Sequence, residues 1–226
     1  MLLAQQVLRF ILRSYFTLLN RSYDVKGQNS LPTGPKIIAM NHSSGCDPFY
    51  LPFVLEETPY FLIQDSLFDL PIIGSLLKQA GQIPVHCGTP NAKDAKEQAC
   101  ALLCEGKTIA IFPEGKIVDT GQRIAAKSGT VRLSLETGAP IIPLGLYAPP
   151  QFLTPVKLNW QGSPRSGDWQ FRGTSYMRFG TAWRPSAQSD IRTQTEELMN
   201  RIYFLVTEAE REAQCALLTS LNPILQ

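Results

Sequence analysis

The chain has 226 residues, of which 44% are hydrophobic and 18% are charged, and its formal net charge is +2. This composition excludes disordered and fibrous proteins, and the small net charge predicts that nucleic acid is not a partner. The five cysteines form no C-x-x-C pair and there are two histidines, so we expect free thiols in a reducing compartment and no metal site.

The first twenty residues, MLLAQQVLRFILRSYFTLLN, predict an amphipathic helix with a wide apolar face and a narrow basic stripe. Arg9 and Arg13 interrupt a run that would need about 20 nearly uncharged residues to span a membrane. A secretory signal would place its charge before the apolar stretch and end in small residues, and neither feature is present. Two interpretations stay open: the helix packs on the protein's own core, or it lies in a membrane surface. The arginines that precede the first acid, Asp24, favour the membrane.

Short β-branched or aromatic runs then alternate with longer helical patterns along the chain. Strands are predicted near residues 36–40, 60–64, 82–86, 108–112, 140–147 and 174–180. Helices are predicted near residues 48–56, 71–80, 91–105, 129–137 and 188–219. This alternation is typical of an α/β protein, and we expect a single domain with a mixed, largely parallel sheet flanked by helices.

Two segments carry less regular expectations. Residues 149–173 are rich in Pro, Gly and Trp, and they predict either a hairpin or an excursion over the sheet. The last helix is expected to place its acidic residues on the solvated side: Glu196, Glu197, Glu208, Glu210 and Glu212.

The stretch NHSSGCDPFY, residues 41–50, places His42 five positions before Asp47, just after the first apolar strand pattern. Residues five apart in a continuous helix point in different directions, but across the Ser-Ser-Gly loop the two side chains could meet, as a base and its orienting acid. The alternative is structural: Asp47 caps a helix that begins at Pro48, and His42 merely ends a strand. The spacing alone does not decide between them.

A second polar stretch, TIAIFPEGKI, runs from an apolar strand directly into Phe112, Pro113, Glu114 and Gly115. An acid at a strand's exit, beside a glycine that lets backbone amides approach a ligand, suits a site at the carboxyl ends of parallel strands. An ordinary turn is the alternative, since proline and glycine are common turn residues.

Taken together, these stretches resemble the glycerolipid acyltransferase family, which includes the lysophosphatidic acid and glycerol-3-phosphate acyltransferases. The first block of that family, N-H-x-x-x-x-D, is matched by Asn41, His42 and Asp47. The third block, F-P-E-G, is matched by Phe112 to Gly115.

Two further blocks follow in the family's order, GQIPV at residues 81–85 and APIIPLGL at residues 139–146. The resemblance covers about residues 30–150, and four blocks in the same order make coincidence a poor explanation. Together with the amphipathic first twenty residues, the resemblance predicts a membrane-associating helix over residues 1–25 and an acyltransferase domain over residues 26–226.

The resemblance implies an O-acyltransferase of phospholipid synthesis. Such an enzyme moves a fatty acyl group from acyl-CoA or acyl-carrier protein, which are donor substrates and not cofactors, to the free hydroxyl of a lysophospholipid. The first choice of acceptor is 1-acylglycerol 3-phosphate, which gives phosphatidic acid. The alternatives are another lyso-lipid or glycerol 3-phosphate as the acceptor, or a non-catalytic lipid-binding role. We expect a peripheral protein on the cytoplasmic face of a membrane, and the sequence leaves its oligomeric state open.

The resemblance also assigns roles to single residues. His42 is the expected general base, since an imidazole, with a reference pKa of about 6.5, can accept a hydroxyl proton near neutral pH. Asp47 is expected to orient the imidazole through its other ring nitrogen. Substrate-binding roles are expected for the remaining residues of these two blocks: Asn41, Phe112, Pro113, Glu114 and Gly115.

The second block departs from the family pattern. It normally ends in an arginine that helps to hold the acceptor's phosphate, whereas this chain has His86 and Cys87 there. Three cations near the third block are candidates to replace that arginine: Lys116, Arg123 and Lys127. A solvated basic loop is the alternative interpretation of these three residues.

Overall fold

The computed structural model describes residues 2–18, 21–85, 92–119, 121–160 and 163–221, and within them strands alternate with helices from residue 36 to residue 147. The α-helices of these parts are α1 (Leu2–Leu18), α2 (Leu51–Val54), α3 (Ile73–Gln79), α4 (Ala92–Cys104), α5 (Gly129–Thr137) and α6 (Ile191–Leu221). The strands are β1 (Arg21–Lys26), β2 (Lys36–Met40), β3 (Tyr60–Gln64), β4 (Ile83–Val85), β5 (Thr108–Ile111), β6 (Ile141–Tyr147), β7 (Leu153–Trp160), β8 (Ser163–Gln170) and β9 (Gly173–Phe179).

One seven-stranded sheet has the order β1-β9-β6-β2-β5-β3-β4. The strands from β6 to β4 run parallel to one another, and β9 is antiparallel to β6. Strand β2 lies between β5 and β6 and is buried along its whole length, as a strand covered on both faces should be. Ala39 pairs with Ile111 of β5 and Pro143 of β6, so the chain leaves β2 and β5 at the same edge. The predicted fold, a mixed and largely parallel sheet flanked by helices, is confirmed.

Successive residues of β2 supply two hydrophobic cores, because neighbouring side chains of a strand point to opposite faces. On one face Ile37 belongs to the core that includes residues of α4, α5 and α6, and on the other Ile38 belongs to the core that includes residues of α2 and β9. Helix α6 packs directly on the backbone of β6. A Cβ atom at Gly145 would lie 2.5 Å from backbone atoms of Leu205 and Val206, so only a glycine permits this approach.

The predicted strands and helices are present, with a few differences. The helix expected near residues 48–56 is a 3-10 turn, Asp47–Phe49, followed by the short α2, since prolines within it cannot donate backbone hydrogen bonds. Strand β1, which the sequence pattern does not predict, pairs in parallel with β9. It crosses the predicted domain boundary after residue 25, and the division into two domains stays a prediction. Residues 86 and 91, at the ends of predicted elements, lie outside the described residues.

The described part of residues 149–173 contains a β-hairpin, one of the two predictions for this segment. Strands β7 and β8 pair antiparallel as a separate two-stranded sheet. The carbonyl of Asp168 in β8 accepts the backbone N–H of Gly45 at 2.9 Å and the hydroxyl of Ser44 at 2.9 Å. The hairpin therefore covers the loop that follows β2.

Helix α1 turns polar side chains towards the protein and much of its apolar side outwards. The amide of Gln5 donates to the carbonyl of Ala80 at 3.2 Å, and the guanidinium of Arg9 donates to that of Pro52 at 2.8 Å. Five apolar side chains of the helix are exposed: Leu3, Val7, Phe10, Ile11 and Leu18. The helix is thus attached through these polar groups and through the buried side chains of Ala4 and Leu12, and both interpretations of this segment stay open. Within the described residues, the helices are too short or too polar to cross a membrane.

The last helix has the expected solvated side in part. Glu196 and Glu197 are exposed. The carboxylate of Glu212 instead binds the buried guanidinium of Arg178 on β9 and lies 2.6 Å from the ammonium of Lys26 on β1. The prediction for Glu212 is wrong because a buried guanidinium needs a counter-charge, and this carboxylate supplies it while fixing α6 to the sheet.

Candidate active site

His42 and Asp47 meet beyond the carboxyl end of β2. Atom Nδ1 of His42 lies 3.0 Å from Oδ2 of Asp47, and the two side chains are 16% and 4% exposed. An imidazole nitrogen that faces a carboxylate carries the ring proton, which leaves Nε2 able to accept one. The loop thus produces the geometry that a base and its orienting acid require.

The loop between these residues folds around the carboxylate of Asp47. Oδ2 also accepts the backbone N–H groups of Ser43 at 2.7 Å and Ser44 at 2.8 Å. The turn at Asp47–Phe49 has no side-chain cap, so the helix-capping interpretation of Asp47 is wrong. Its carboxylate turns back to the loop amides, and these hydrogen bonds fix the orientation in which it faces the imidazole.

Gly45, inside the same loop, is required by the hairpin that covers it. A Cβ atom at this position would lie 2.6 Å from Cε2 and 2.7 Å from Nε1 of Trp169 on β8. The indole also packs against the ring of Phe49, with the ring centroids 6.1 Å apart. Glycine therefore allows the tryptophan to lie directly on the loop between His42 and Asp47.

Glu114 links the exits of β2 and β5. Its Oε2 accepts the backbone N–H of His42 at 2.7 Å, and its Oε1 accepts the hydroxyl of Tyr203 at 2.6 Å. Burial raises the pKa of the Glu114 carboxyl, although the hydrogen bonds from Tyr203 and His42 oppose the rise. Burial, together with the hydrogen bond to Glu114, also raises the pKa of Tyr203, so the phenol keeps its proton and remains the donor.

The other residues of the F-P-E-G block shape the surroundings of the imidazole. The ring of Phe112 stacks on that of His42 with the centroids 4.1 Å apart. The carbonyl of Pro113 accepts the backbone N–H of Lys127 at 2.8 Å. Gly115 has a φ of 70°, in the left-handed region that glycine adopts without strain, and a Cβ atom there would lie 2.9 Å from Nζ of Lys127.

A cavity of about 330 Å³ borders these groups. Its wall includes His42, Glu114, Arg123, Tyr203 and Glu210. Glu210, which is expected on the solvated side of the last helix, is partly exposed and lines this cavity.

Asn41 lies in the wall of the same cavity. Its side-chain amide exchanges two hydrogen bonds with the backbone of Leu146 on β6. The donor and acceptor atoms of this amide are thus engaged within the protein, and a substrate-binding role for Asn41 stays a prediction.

A larger cavity, of about 860 Å³, lies at the opposite edge of the sheet. It is bordered by the ion pair between Lys36 and Glu57, whose Nζ and Oε1 atoms are 2.7 Å apart, and by Arg9. The smaller cavity is the candidate site because, of the two, it is the one whose wall contains His42, and chemistry identifies a site better than volume does.

The three candidate phosphate ligands occupy different positions. Arg123 lines the small cavity, and its guanidinium carbon lies 4.6 Å from the centre of the Tyr203 ring. Lys127 lies against Gly115, and Lys116 is exposed; neither is part of the described cavity wall. His86 and Cys87 lie outside the described residues.

Tyr203 is the main residue of the site that the sequence analysis misses. It lies 89 positions after Glu114, and its immediate neighbours in the sequence give no sign of a site. Thr207 and Glu210, four and seven residues later, line the same cavity, which is the spacing of one helix face. A polar stripe at this spacing in α6 is the signal that could have identified it.

A family model described as acyltransferase matches residues 22–147. This range includes His42, Asp47 and Glu114, and it ends before Tyr203. A crystal structure of the 1-acyl-sn-glycerophosphate (LPA) acyltransferase PlsC from Thermotoga maritima is similar to the chain, with a TM-score of 0.69 and 19% identity over 92% of this chain and 79% of that one. The likeness to that structure shows a shared fold.

Two curated relatives have the name 1-acyl-sn-glycerol-3-phosphate acyltransferase. The protein of Borreliella burgdorferi is 32% identical over 125 residues, which are 54% of this chain and 50% of that protein. The protein of Pseudomonas aeruginosa is 26% identical over 162 residues, which are 71% of this chain and 58% of that protein. The chain thus spans about half the length of the curated relatives it matches.

Proposed function

The chain belongs to the acyltransferase family, and we propose that it transfers a fatty acyl group from acyl-CoA or acyl-carrier protein to the free hydroxyl of a lysophospholipid. The first-choice acceptor is 1-acylglycerol 3-phosphate, and the product is then phosphatidic acid. The observation that carries the proposal is the contact between Nδ1 of His42 and Oδ2 of Asp47, 3.0 Å apart, beside a cavity whose wall contains the cation of Arg123.

The reaction needs a base because an alcohol attacks a thioester readily only as its proton leaves. Nε2 of His42 takes the hydroxyl proton while the acceptor oxygen bonds to the thioester carbonyl carbon. The carbon–sulfur bond then breaks, its electron pair goes to sulfur, and the imidazolium returns the proton to the departing thiolate. Asp47 orients the ring and stabilises the imidazolium between these steps. The acyl group passes directly to the acceptor, so no covalent acyl-enzyme forms.

The acceptor's phosphate is assigned to the side of the cavity that Arg123 lines. Arg123 is the first candidate, because its guanidinium lies in the cavity wall and can bind two phosphate oxygens at once. Lys127, beside the Gly115 turn, is the second candidate, and the exposed Lys116 is the third. Glu114 contributes by fixing the backbone of His42, since a carboxylate repels a phosphate and is a poor direct ligand for it.

We place the enzyme peripherally on the cytoplasmic face of a membrane. Helix α1 supports contact with a membrane surface, because Leu3 and Phe10 are 73% and 72% exposed while Gln5 and Arg9 are bonded to the protein. Ile72, next to α3, is 85% exposed. Large exposed apolar side chains are typical of surfaces that meet lipid or protein, and an amphipathic helix in this orientation suits the lipid boundary.

One sequence feature favours a second candidate function, acylation of a lyso-lipid that lacks a terminal phosphate. Cys87 stands where the resemblance leads us to expect a phosphate-binding arginine. If no other cation takes over that role, an uncharged or zwitterionic head group would fit the site better.

An acceptor panel tests both candidates. Purified protein is given labelled palmitoyl-CoA or palmitoyl-carrier protein, and the products are identified by mass. The informative acceptors are 1-acylglycerol 3-phosphate and 1-acylglycerol, which differ only in the phosphate. A clear preference for the phosphorylated acceptor supports the first candidate, and equal rates support the second. Absence of transfer with both donors and every acceptor, in protein of normal melting temperature, overturns the proposal.

A further inference from the structure

We infer that Tyr203 of α6 is a positioning residue for the acceptor. The ring of Tyr203 holds Arg123, and its hydroxyl holds Glu114. The inference rests on the proposed function, since it takes the cavity beside His42 as the site of a phosphomonoester acceptor. It makes the C-terminal helix part of that site, although the family match ends at residue 147.

The first contact is between the guanidinium of Arg123 and the face of the Tyr203 ring, 4.6 Å from its centre. Arg123 is exposed and lies in a segment without helix or strand, where a long side chain would otherwise sample many conformations. A guanidinium that lies over an aromatic ring can still bind an anion through its N–H groups. The ring thus orients the cation before an acceptor arrives.

The second contact is between the hydroxyl of Tyr203 and Oε1 of Glu114, at 2.6 Å. The other oxygen of Glu114 accepts the backbone N–H of His42 at 2.7 Å. Hydrogen bonds therefore connect α6, through one buried carboxylate, to the backbone of the proposed base. The same tyrosine touches the group proposed to bind the acceptor and the group that fixes the base.

Such a role requires α6 to hold its place on the sheet, and two features secure it. Gly145 of β6 allows the backbone of α6 to approach closely at Leu205 and Val206, two and three residues after Tyr203. Further along the helix, Glu212 is bound by the buried guanidinium of Arg178 on β9. Tyr203 therefore projects from a helix that is fixed to β6 and β9.

A positioning role and a purely structural role predict different kinetics. Loss of a packing residue lowers the melting temperature and reduces the rate with every substrate to a similar extent. Loss of a residue that orients Arg123 raises the acceptor's KM and leaves the donor's KM unchanged, because a bound phosphate is held in the ground state and the transition state alike.

The test compares Tyr203→Phe, which keeps the ring and removes the hydroxyl, with Tyr203→Leu, which removes both. Phe204→Leu is the matched control, since Phe204 is the next residue of α6 and is 63% exposed. We expect Tyr203→Leu to raise the KM for 1-acylglycerol 3-phosphate by about fivefold, the upper end of the range for loss of an aromatic contact to an exposed cation, and to leave the KM for palmitoyl-CoA within twofold. Tyr203→Phe should keep the acceptor's KM and lower kcat, and the control should change neither.

The double variant Tyr203→Leu/Arg123→Ala should have the same acceptor KM as Arg123→Ala alone, because the ring acts on the acceptor only through the guanidinium. Equal acceptor KM values in Tyr203→Leu and the parent, or equal changes in acceptor and donor KM, overturn the inference while the proposed function stands. Direct binding of a short-chain 1-acylglycerol 3-phosphate, measured by calorimetry, does not depend on turnover. If the parent transfers no acyl group, the proposed function fails, and weaker binding by Tyr203→Leu than by Phe204→Leu still supports the role of Tyr203. Equal binding by these two variants, or none by the parent, overturns it.

Discussion

Asn41 and Leu146 are 105 positions apart and exchange two hydrogen bonds, from the amide nitrogen of Asn41 to the carbonyl of Leu146 at 2.9 Å and from the N–H of Leu146 to Oδ1 of Asn41 at 2.8 Å. These two hydrogen bonds join the end of β2 to β6 at the carboxyl edge of the sheet. The side chain of the next residue, His42, is therefore not needed to hold the strands together, and fold and chemistry can be separated by mutation at adjacent positions.

His42→Ala is expected to abolish acyl transfer and to leave the melting temperature nearly unchanged. The change removes the base but leaves the hydrogen bonds of Asn41 and the backbone contact to Glu114. Transfer is measured with labelled palmitoyl-CoA, beside Gln122→Ala, which alters another residue of the same cavity wall. Activity of His42→Ala within tenfold of the parent, at an unchanged melting temperature, would remove His42 from the mechanism.

Asp47→Asn should lower kcat by about 100-fold or more while acceptor and donor KM change little. Asparagine keeps the size of the side chain, but it removes the charge that stabilises the imidazolium and the preference for the proton on Nδ1. Because Oδ2 also accepts N–H groups of Ser43 and Ser44, urea unfolding must be measured beside the rate. A loss of activity that follows the loss of folded protein would mean that Asp47 acts on the loop alone.

The stability contributed by Glu114 should depend on pH. Burial raises its pKa above the ordinary value of 4.5, so the folded protein binds this proton more tightly than the unfolded chain does. The favourable contribution is fully present below pH 4.5 and is lost as the pH rises through the folded-state pKa. We therefore expect the free energy of unfolding of the parent, minus that of Glu114→Gln, to fall as the pH rises above 4.5 and then to level off. A difference that stays constant with pH would contradict the raised pKa.

The three cations near the third block should differ in their effect on the acceptor. Arg123→Ala should raise the KM for 1-acylglycerol 3-phosphate about tenfold, the size expected for loss of a charged contact to phosphate. Lys127→Ala should have a smaller effect. Lys116→Ala should have almost none, because Lys116 is exposed and lies outside the described cavity wall. With 1-acylglycerol the three variants should match the parent. If none of them distinguishes the two acceptors, the phosphate assignment is wrong.

Membrane binding should depend on the apolar side of α1. Phe10→Glu is expected to weaken binding to anionic lipid vesicles by about tenfold or more, because it removes an apolar group worth roughly 2 kcal/mol and adds a negative charge. Gln6→Glu, at an exposed polar position of the same helix, introduces the same charge and is the matched control. Equal loss in the two variants would show that charge alone matters. Deletion of residues 1–21 should release the protein to the soluble fraction, and its retention on the vesicles would point to another surface.

The parts of the fold and site that could be predicted are those that depend on residues close together in the sequence. The continuous apolar run of β2 and the turn residues after β5 predict strands that end at one edge, and so they place His42 and Glu114 together. Strand β1 escapes prediction because RSYDVK mixes polar and apolar residues at an edge position, where pairing with β9 matters more than burial.

Errors arose where a local rule competes with a distant contact. An aspartate before a proline is a good helix cap in isolation, but at Asp47 the loop amides and His42 take the carboxylate instead. Glu212 fits a solvated helix face until the buried Arg178 of β9 is brought beside it. The polar stripe of Tyr203, Thr207 and Glu210 marks one face of α6, but the partners of Tyr203, Glu114 and Arg123, lie on a loop that meets α6 only in the folded chain.

The contact between Gly45 and Trp169 links the inside of the N-H-x-x-x-x-D block to a hairpin far along the chain. A side chain at position 45 and an indole at position 169 therefore exclude each other, although neither residue takes part in the proposed reaction. A lineage that replaces the tryptophan by a small residue frees position 45 to vary, whereas any side chain acquired first at position 45 pushes the hairpin off the loop. Substitutions at these two sites should accordingly be ordered in time, with the change at 169 preceding the change at 45.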